Sequence, residues 1–252
     1  MNYVSIIRSL YIYTRNSFIS LFSFIIIKFI PKKNIFEIID LLKNKKVLVL
    51  GTGPSLDKLN QDLINNYEVI IFLNNSNNIL KIFNFNQKKI FFNSDLFRFR
   101  KLKKQIYSLD NTWIYIFIPI HLQLFFSFIL FYFEKNVFLL IPKYRIGLPF
   151  EKNVTNSIIT YDLAQNQDTK KILDINNFKI FPHTVALNAF YFLISCKVSQ
   201  IHYLGCDFTS GNSIKLNENG WRSNLSKKKI YLWVNKLKKL SKKYSINFKD
   251  LK

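Results

Sequence analysis

Gly51-Thr52-Gly53-Pro54-Ser55 follows four branched apolar residues, Val47 to Leu50, and reads as a strand that turns tightly into a helix. Two glycines at such a turn leave room for a ligand to press against the main chain. The start of a helix offers unpaired N–H groups and the positive end of its dipole to an anion, commonly a nucleotide phosphate. The third glycine of the dinucleotide fingerprint is missing, and a βα turn without a ligand accounts for the motif equally well. Proton transfer asks for a group that titrates near neutrality. Of the three histidines, His202 lies inside an apolar run and reads as a core residue, His121 reads as a helix start, and His183 sits on a loop just before a helix. An imidazole at position 183 can accept a hydroxyl proton. Asp95 can do the same where burial raises its pKa. Lys215 and Arg222 carry charge that can meet an anion, although a solvated lysine is the plainer reading in so basic a chain.

These residues need a frame that gathers them. Val47 to Leu50 is a first strand and Glu68 to Leu73 a second, which ends in Asn74-Asn75-Ser76-Asn77-Asn78. Lys89 to Phe92 is a third strand, followed by Asn93-Ser94-Asp95; Trp113 to Ile118 and Val137 to Ile141 are a fourth and fifth. Residues 143–181 are polar and poorly periodic, the pattern of a lid or insertion. Pro182-His183-Thr184 then introduces a helix from Val185 to Lys197 that is apolar on nearly every face, hence buried against a sheet. Strand Gln200 to Leu204 follows and ends in Gly205-Cys206-Asp207-Phe208. Alternating strands and helices predict an α/β fold, a Rossmann-like, mostly parallel, doubly wound sheet. Ligands of such sheets sit beyond the carboxyl ends of the strands. The Gly51 turn, Asn74, Asp95 and Asp207 all fall at those ends.

The net charge of +22 implies an anionic partner, whether nucleic acid, acidic lipid headgroups or a phosphorylated substrate, and part of it reflects general overuse of Lys, Asn, Ile and Phe. Cys196 and Cys206 lie in the most core-like stretch, in no metal-ligand spacing, which fits a reducing compartment. Three segments lean toward a membrane. Residues 16–27 carry no charge and are rimmed by Arg8, Arg15, Lys28, Lys32 and Lys33, as an interfacial anchor helix would be, or a helix packed on the domain. Asn111 to Phe133 is also uncharged but is interrupted by Pro119, His121 and Gln123; His121 to Phe133 reads as an apolar helix on the sheet or in the headgroup layer. From Ser226 to Tyr244, the residues Ile230, Trp233, Val234, Leu237, Leu240 and Tyr244 recur at helical spacing with lysines opposite, a helix that can lie on an anionic bilayer or simply on the protein surface. This divides the chain into an anchor, residues 1–33, and an α/β domain, residues 34–252. No zinc-finger spacing, RNP motif or helix-turn-helix pattern supports nucleic acid as the partner.

In this order, Gly51-Thr52-Gly53-Pro54-Ser55-Leu56, Asn74 after the second strand, a polar residue after the third, and Tyr203-Leu204-Gly205-Cys206-Asp207-Phe208 resemble the bacterial lipooligosaccharide sialyltransferases. They also resemble the wider superfamily that holds motility-associated flagellin glycosyltransferases and the hydroxymethylpterin pyrophosphokinase-like domain. The resemblance runs over residues 45–250. It implies that Gly51, Thr52, Gly53, Pro54, Ser55 and Asn74 hold the cytidine nucleotide of a CMP-sugar donor, with Thr184 and Lys215 near it, and that Asp207 anchors the strand end beneath. Asp95 stands where those enzymes carry an asparagine that meets substrate. The donor sugar is then a substrate, with no resident cofactor and no metal.

The chain departs from the pattern at three places. Thr184-Val185-Ala186 replaces a Thr-Ser-Gly type turn. Thr209 and Lys215 lie where tyrosines hold the leaving phosphate. The general-base histidine expected between Asn224 and Lys229 is absent, since no histidine follows His202. The resemblance and the three membrane-leaning segments together imply a membrane-associated glycosyltransferase that moves a sialic-acid-like sugar to a cell-surface or lipid-linked glycan, at the cytoplasmic face of the bacterial inner membrane, with a homo-oligomer allowed. A pyrophosphokinase-like phosphotransferase, for which Asp95, Asp162 and Asp207 are a thin set of metal ligands, and a non-catalytic member of a glycan-assembly locus are the other readings the scaffold permits.

Overall fold

Runs of Val, Ile, Leu and Phe without alternation form strands only where both faces of a sheet are covered. The computed structural model describes residues 36–93, 114–117, 137–139, 142–143, 158–159, 185–208, 213 and 227–251, and its centre is such a sheet. Seven strands lie in the order β5-β4-β3-β2-β1-β8-β9: β1 Lys46–Leu50, β2 Val69–Leu73, β3 Lys88–Asn93, β4 Ile114–Phe117, β5 Val137–Leu139, β8 Gln200–Leu204 and β9 Asn247–Asp250. Every pairing in it is parallel. β6 (Pro142–Lys143) and β7 (Ile158–Ile159) form a separate antiparallel pair. The chain winds outward from β1 through β5 and then returns to β1's other edge with β8, so the strand order reverses between β1 and β8. That is the doubly wound parallel sheet expected from the sequence; the N-terminal segment lies outside the described residues.

Alternate side chains of the central strands feed two layers. Val47, Val49, Val69, Ile71, Ile90, Phe92, Ile201 and Tyr203 pack in one core with helices α1 (Phe36–Leu42), α3 (Val185–Ser195) and α4 (Lys227–Lys243). Leu48, Leu50, Ile70, Phe72, Phe91 and Leu204, also fully buried, point to the other side. That side carries the short helix α2 (Gln61–Asn65), capped by the Asn60 side chain on the Leu63 N–H at 2.8 Å. Helix α3 is buried from Ala186 to Ser195, as its all-round apolarity requires.

Helix α4 packs its apolar stripe against the protein. Ile230, Val234, Leu237 and Ser241 are buried and face the core beside α3, so the apolar stripe available for a bilayer is already covered by protein. What α4 turns outward is rich in lysine, with Tyr231 and Leu232 also exposed. Elements that went unforeseen include α1, α2 and the edge strand β9, whose residues are half or fully exposed.

Candidate functional site

The register fixes which turns are neighbours. Leu50 pairs with Phe72 and with Leu204, so the turns after β1, β2 and β8 leave the same edge side by side. Leu73 pairs with Phe92, which places Asn93 level with Asn74.

Beyond their last paired residues, β1 and β8 stay joined. The Gly51 N–H donates to the Leu204 carbonyl at 2.8 Å and the Gly53 N–H to the Gly205 carbonyl at 2.7 Å. Ser55 then closes the contact from both of its groups. Its N–H donates to Asp207 Oδ2 at 2.8 Å, and its Oγ accepts from the Gly205 N–H at 2.7 Å. All of this needs backbone against backbone. A Cβ on Gly51 would lie 2.2 Å from the Gly205 oxygen, and one on Gly53 would lie 2.4 Å from Asp207 Oδ2. Gly205 has a φ of +68°, a conformation that suits glycine, and a Cβ there would meet the Gly51 oxygen at 2.5 Å.

The turn differs from a plain open loop in two respects. The side on which a Cβ of Gly51 or Gly53 would project is taken by the turn after β8. The helix behind them is a five-residue 3-10 turn, Pro54–Lys58, and the acceptor at its start is the chain's own Asp207 side chain. Among the described residues the loop keeps two groups to offer. They are the N–H of half-exposed Thr52, which has no partner there, and the hydroxyl hydrogen of Ser55. The Thr52 carbonyl accepts from the Ser213 N–H at 2.9 Å, and the Ser213 hydroxyl donates to Asp57, fastening residue 213 across the loop.

The turn after β2 is built in the opposite way. Asn74 takes a φ of +53°, which asparagine tolerates better than most residues, and opens an eight-residue 3-10 helix, Asn74–Lys81. That helix leaves some of its buried polar atoms unpaired. Ser76 is 0% exposed and Asn77 5% exposed, and Ser76 Oγ, Asn77 Oδ1 and Asn74 Oδ1 are buried with no hydrogen-bond partner among the described residues. Buried oxygens of this kind are costly unless a donor reaches them. Asn93, fully buried, ends β3 beside them. Ser76 and Asn77 were legible only as members of an asparagine-rich run; nothing in the sequence marked them above their neighbours.

Of the residues singled out in the sequence, the structure brings together Gly51, Thr52, Gly53, Pro54, Ser55, Asn74 and Asp207. Asp95, His183, Thr184, Lys215 and Arg222 lie outside the described residues, although β3 ends at Asn93 and α3 begins at Val185, each within two residues of a candidate. His202 lies away from these turns, in the middle of β8. Its Nδ1 is shared by the Tyr67 hydroxyl at 2.7 Å and the Gln200 amide at 2.8 Å, and burial, reinforced by Lys249, holds its pKa below the ordinary histidine value. Burial also pushes the Cys196 thiol far up, so it is inert. Among the described residues no group of three or more His, Cys, Asp or Glu side chains could hold a metal ion.

No family model and no curated protein matches this chain. Among solved structures it is similar to two of the sialyltransferase CstII from Campylobacter jejuni. One is in complex with the substrate analogue CMP-3FNeuAc and is 17% identical, covering 82% of this chain and 80% of that one, with a TM-score of 0.35. The other is in complex with cytidine-5'-monophosphate and is 16% identical, covering 83% and 80%, also with a TM-score of 0.35. A likeness of that size leaves the function to be argued from the residues.

Proposed function

We propose that this chain is a membrane-associated glycosyltransferase whose donor is a CMP-activated, sialic-acid-like sugar and whose acceptor is a lipid-linked or cell-surface glycan. The reading is supported by the resemblance of the ordered motifs and by one observation above all: the buried, unpartnered oxygens of Asn74, Ser76 and Asn77 beside the Gly51–Ser55 turn. Carboxamide oxygens without donors call for a ligand that brings them. Ribose hydroxyls and the exocyclic amine of cytosine are such donors; uracil presents a carbonyl at the same ring position and would set acceptor against acceptor. The Thr52 N–H and the Ser55 hydroxyl add two donors for the acceptor oxygens of a nucleotide. In this reaction the acceptor hydroxyl attacks the anomeric carbon, the bond from that carbon to the phosphate oxygen breaks, and CMP leaves. His183 is the proposed base, taking the hydroxyl proton, with Asp95 the alternative.

Calorimetry of the full chain against CMP, CDP, UMP, UDP, ADP and GDP tests the donor. A preference for the cytidine nucleotides of about tenfold or more is expected, the size of one or two well-placed hydrogen bonds. Equal binding of all six, or of none, ends the CMP-sugar reading.

A further inference from the structure

Helix α4 contains eight lysines and no acidic residue in 17 positions. Its buried stripe of Ile230, Val234, Leu237 and Ser241 fixes what faces away from the core. Helical spacing puts Leu232, Lys236, Lys239 and Lys243 along the opposite side, at intervals of three or four residues. Leu232 heads that row and is 56% exposed, and Lys236, Lys239, Lys242 and Lys243 are exposed further along it. Lys242 and Lys243 suit the last turn of a helix, but Lys227, Lys228 and Lys229 stand in the first turn, where a positive charge opposes the helix dipole. The helix thus carries charge where its own stability disfavours it.

We infer that the outward face of α4 is a docking surface for an anionic lipid bilayer, on which the helix lies flat, held by lysine–headgroup attraction with Leu232 entering the interface and the buried stripe staying in the protein. This deepens the membrane part of the proposed function and is independent of the identity of the donor. Charge complementarity alone would also admit a nucleic acid. The row favours lipid because its charges are all lysine, without the arginine forks that read bases or clamp phosphates, and because an exposed leucine, Leu232, heads it.

The placement has a functional consequence. The ring of Tyr231, in the first turns of α4, meets Phe208, just past β8, at a centroid distance of 6.4 Å. The helix therefore starts at the sheet edge that carries the candidate site. A bilayer under α4 would bring that edge close to lipid-linked acceptors.

The test is sedimentation of the full chain with phosphatidylcholine vesicles, with and without 30% phosphatidylserine, at 0.1 and 0.5 M salt. The extra binding given by the anionic lipid is the quantity to follow, because an apolar anchor elsewhere in the chain also binds the neutral vesicles. That increment should be large at 0.1 M salt and mostly lost at 0.5 M. Lys239→Gln/Lys242→Gln/Lys243→Gln should weaken it about a hundredfold, at about fivefold per lysine. Lys58→Gln/Lys81→Gln/Lys88→Gln removes the same charge from exposed positions elsewhere and should leave most of it. Far-UV circular dichroism checks folding; if the triple variant does not fold, Lys239→Gln alone should give about fivefold. Equal losses in the two triple variants, no anionic increment in the natural chain, or loss of RNA oligonucleotide binding with vesicle binding unchanged would each overturn the proposal. Nucleotide calorimetry on the same variants should be unaltered, which separates failure here from failure of the donor assignment.

Discussion

Two turns leave neighbouring strands at the same sheet edge and use their polar groups in opposite ways. The turn after β1 spends its hydrogen bonds on the turn after β8: Gly51, Gly53 and Ser55 are each paired with Leu204, Gly205 or Asp207. The turn after β2 buries Ser76 Oγ and Asn77 Oδ1 and pairs neither. The first is construction and the second is held in reserve. A motif that looks like a ligand loop can be the joint that keeps a fold closed, and binding capacity is better sought where buried polar groups are left unsatisfied.

Substitutions should separate the two turns. The largest effect is expected at the joint. Gly51→Ala places a Cβ 2.2 Å from a carbonyl oxygen that cannot step aside, since Gly205 is pinned by Ser55. It should cost roughly 3–5 kcal/mol, the range of severe packing and strain defects, read as a lowered urea midpoint. A smaller loss, about 1–3 kcal/mol, is expected for Asp207→Ala, which leaves the buried Ser55 N–H without its acceptor; Asp207→Asn should restore part of it. If either variant is as stable as the natural chain, the joint is not structural.

At the second turn the order of effects reverses. Ser76→Ala and Asn77→Leu remove unpartnered buried oxygens, so stability should hold steady or rise by up to about 1 kcal/mol. Affinity for CMP should meanwhile fall about tenfold, measured by the calorimetry above. Loss of stability with affinity intact would make this turn another piece of construction and erase the contrast.

The smallest effect belongs to His202, outside both turns. Its pKa is lowered in the fold, chiefly by burial, so the unfolded chain binds the proton more readily. Its contribution to stability is whole above the ordinary histidine pKa of about 6.5 and is lost as pH falls below that toward the folded value. Urea midpoints at pH 7.5 and 5 should show this decline, and His202→Gln should flatten it. A decline unchanged in the variant would assign it to other groups.

The sequence made β1, β2, β3, β8 and α3 readable because continuous apolar runs have few homes other than a sheet covered on both faces and the helix that covers it. The parallel, doubly wound order followed from their alternation. β9 stayed hidden because Asn247-Phe248-Lys249-Asp250 is polar and sits on an edge, where solvent on one flank removes the apolar signature. At the site, the Gly51 turn, Asn74 and Asp207 were legible as residues at strand ends. The use made of them was not, since the partners of Gly51 and Ser55 lie about 150 residues away and no local spacing reports them. The amphipathic period of α4 was likewise plain, but periodicity alone does not say whether protein or lipid covers the apolar side.

The joint also sets an order of events during synthesis. β1 leaves the ribosome well before β8 and can pair with β2 at once, yet its other edge and its glycine turn remain without partners until Gly205 and Asp207 have emerged. Closing a contact across that much chain is slow compared with pairing neighbours. Over that stretch of translation the nascent protein carries an open central strand, and the sheet edge that bears the candidate site takes shape only once the turn after β8 has emerged. Whatever shields that strand in the interval, whether nascent partner segments or a chaperone, decides how much of the protein arrives able to work.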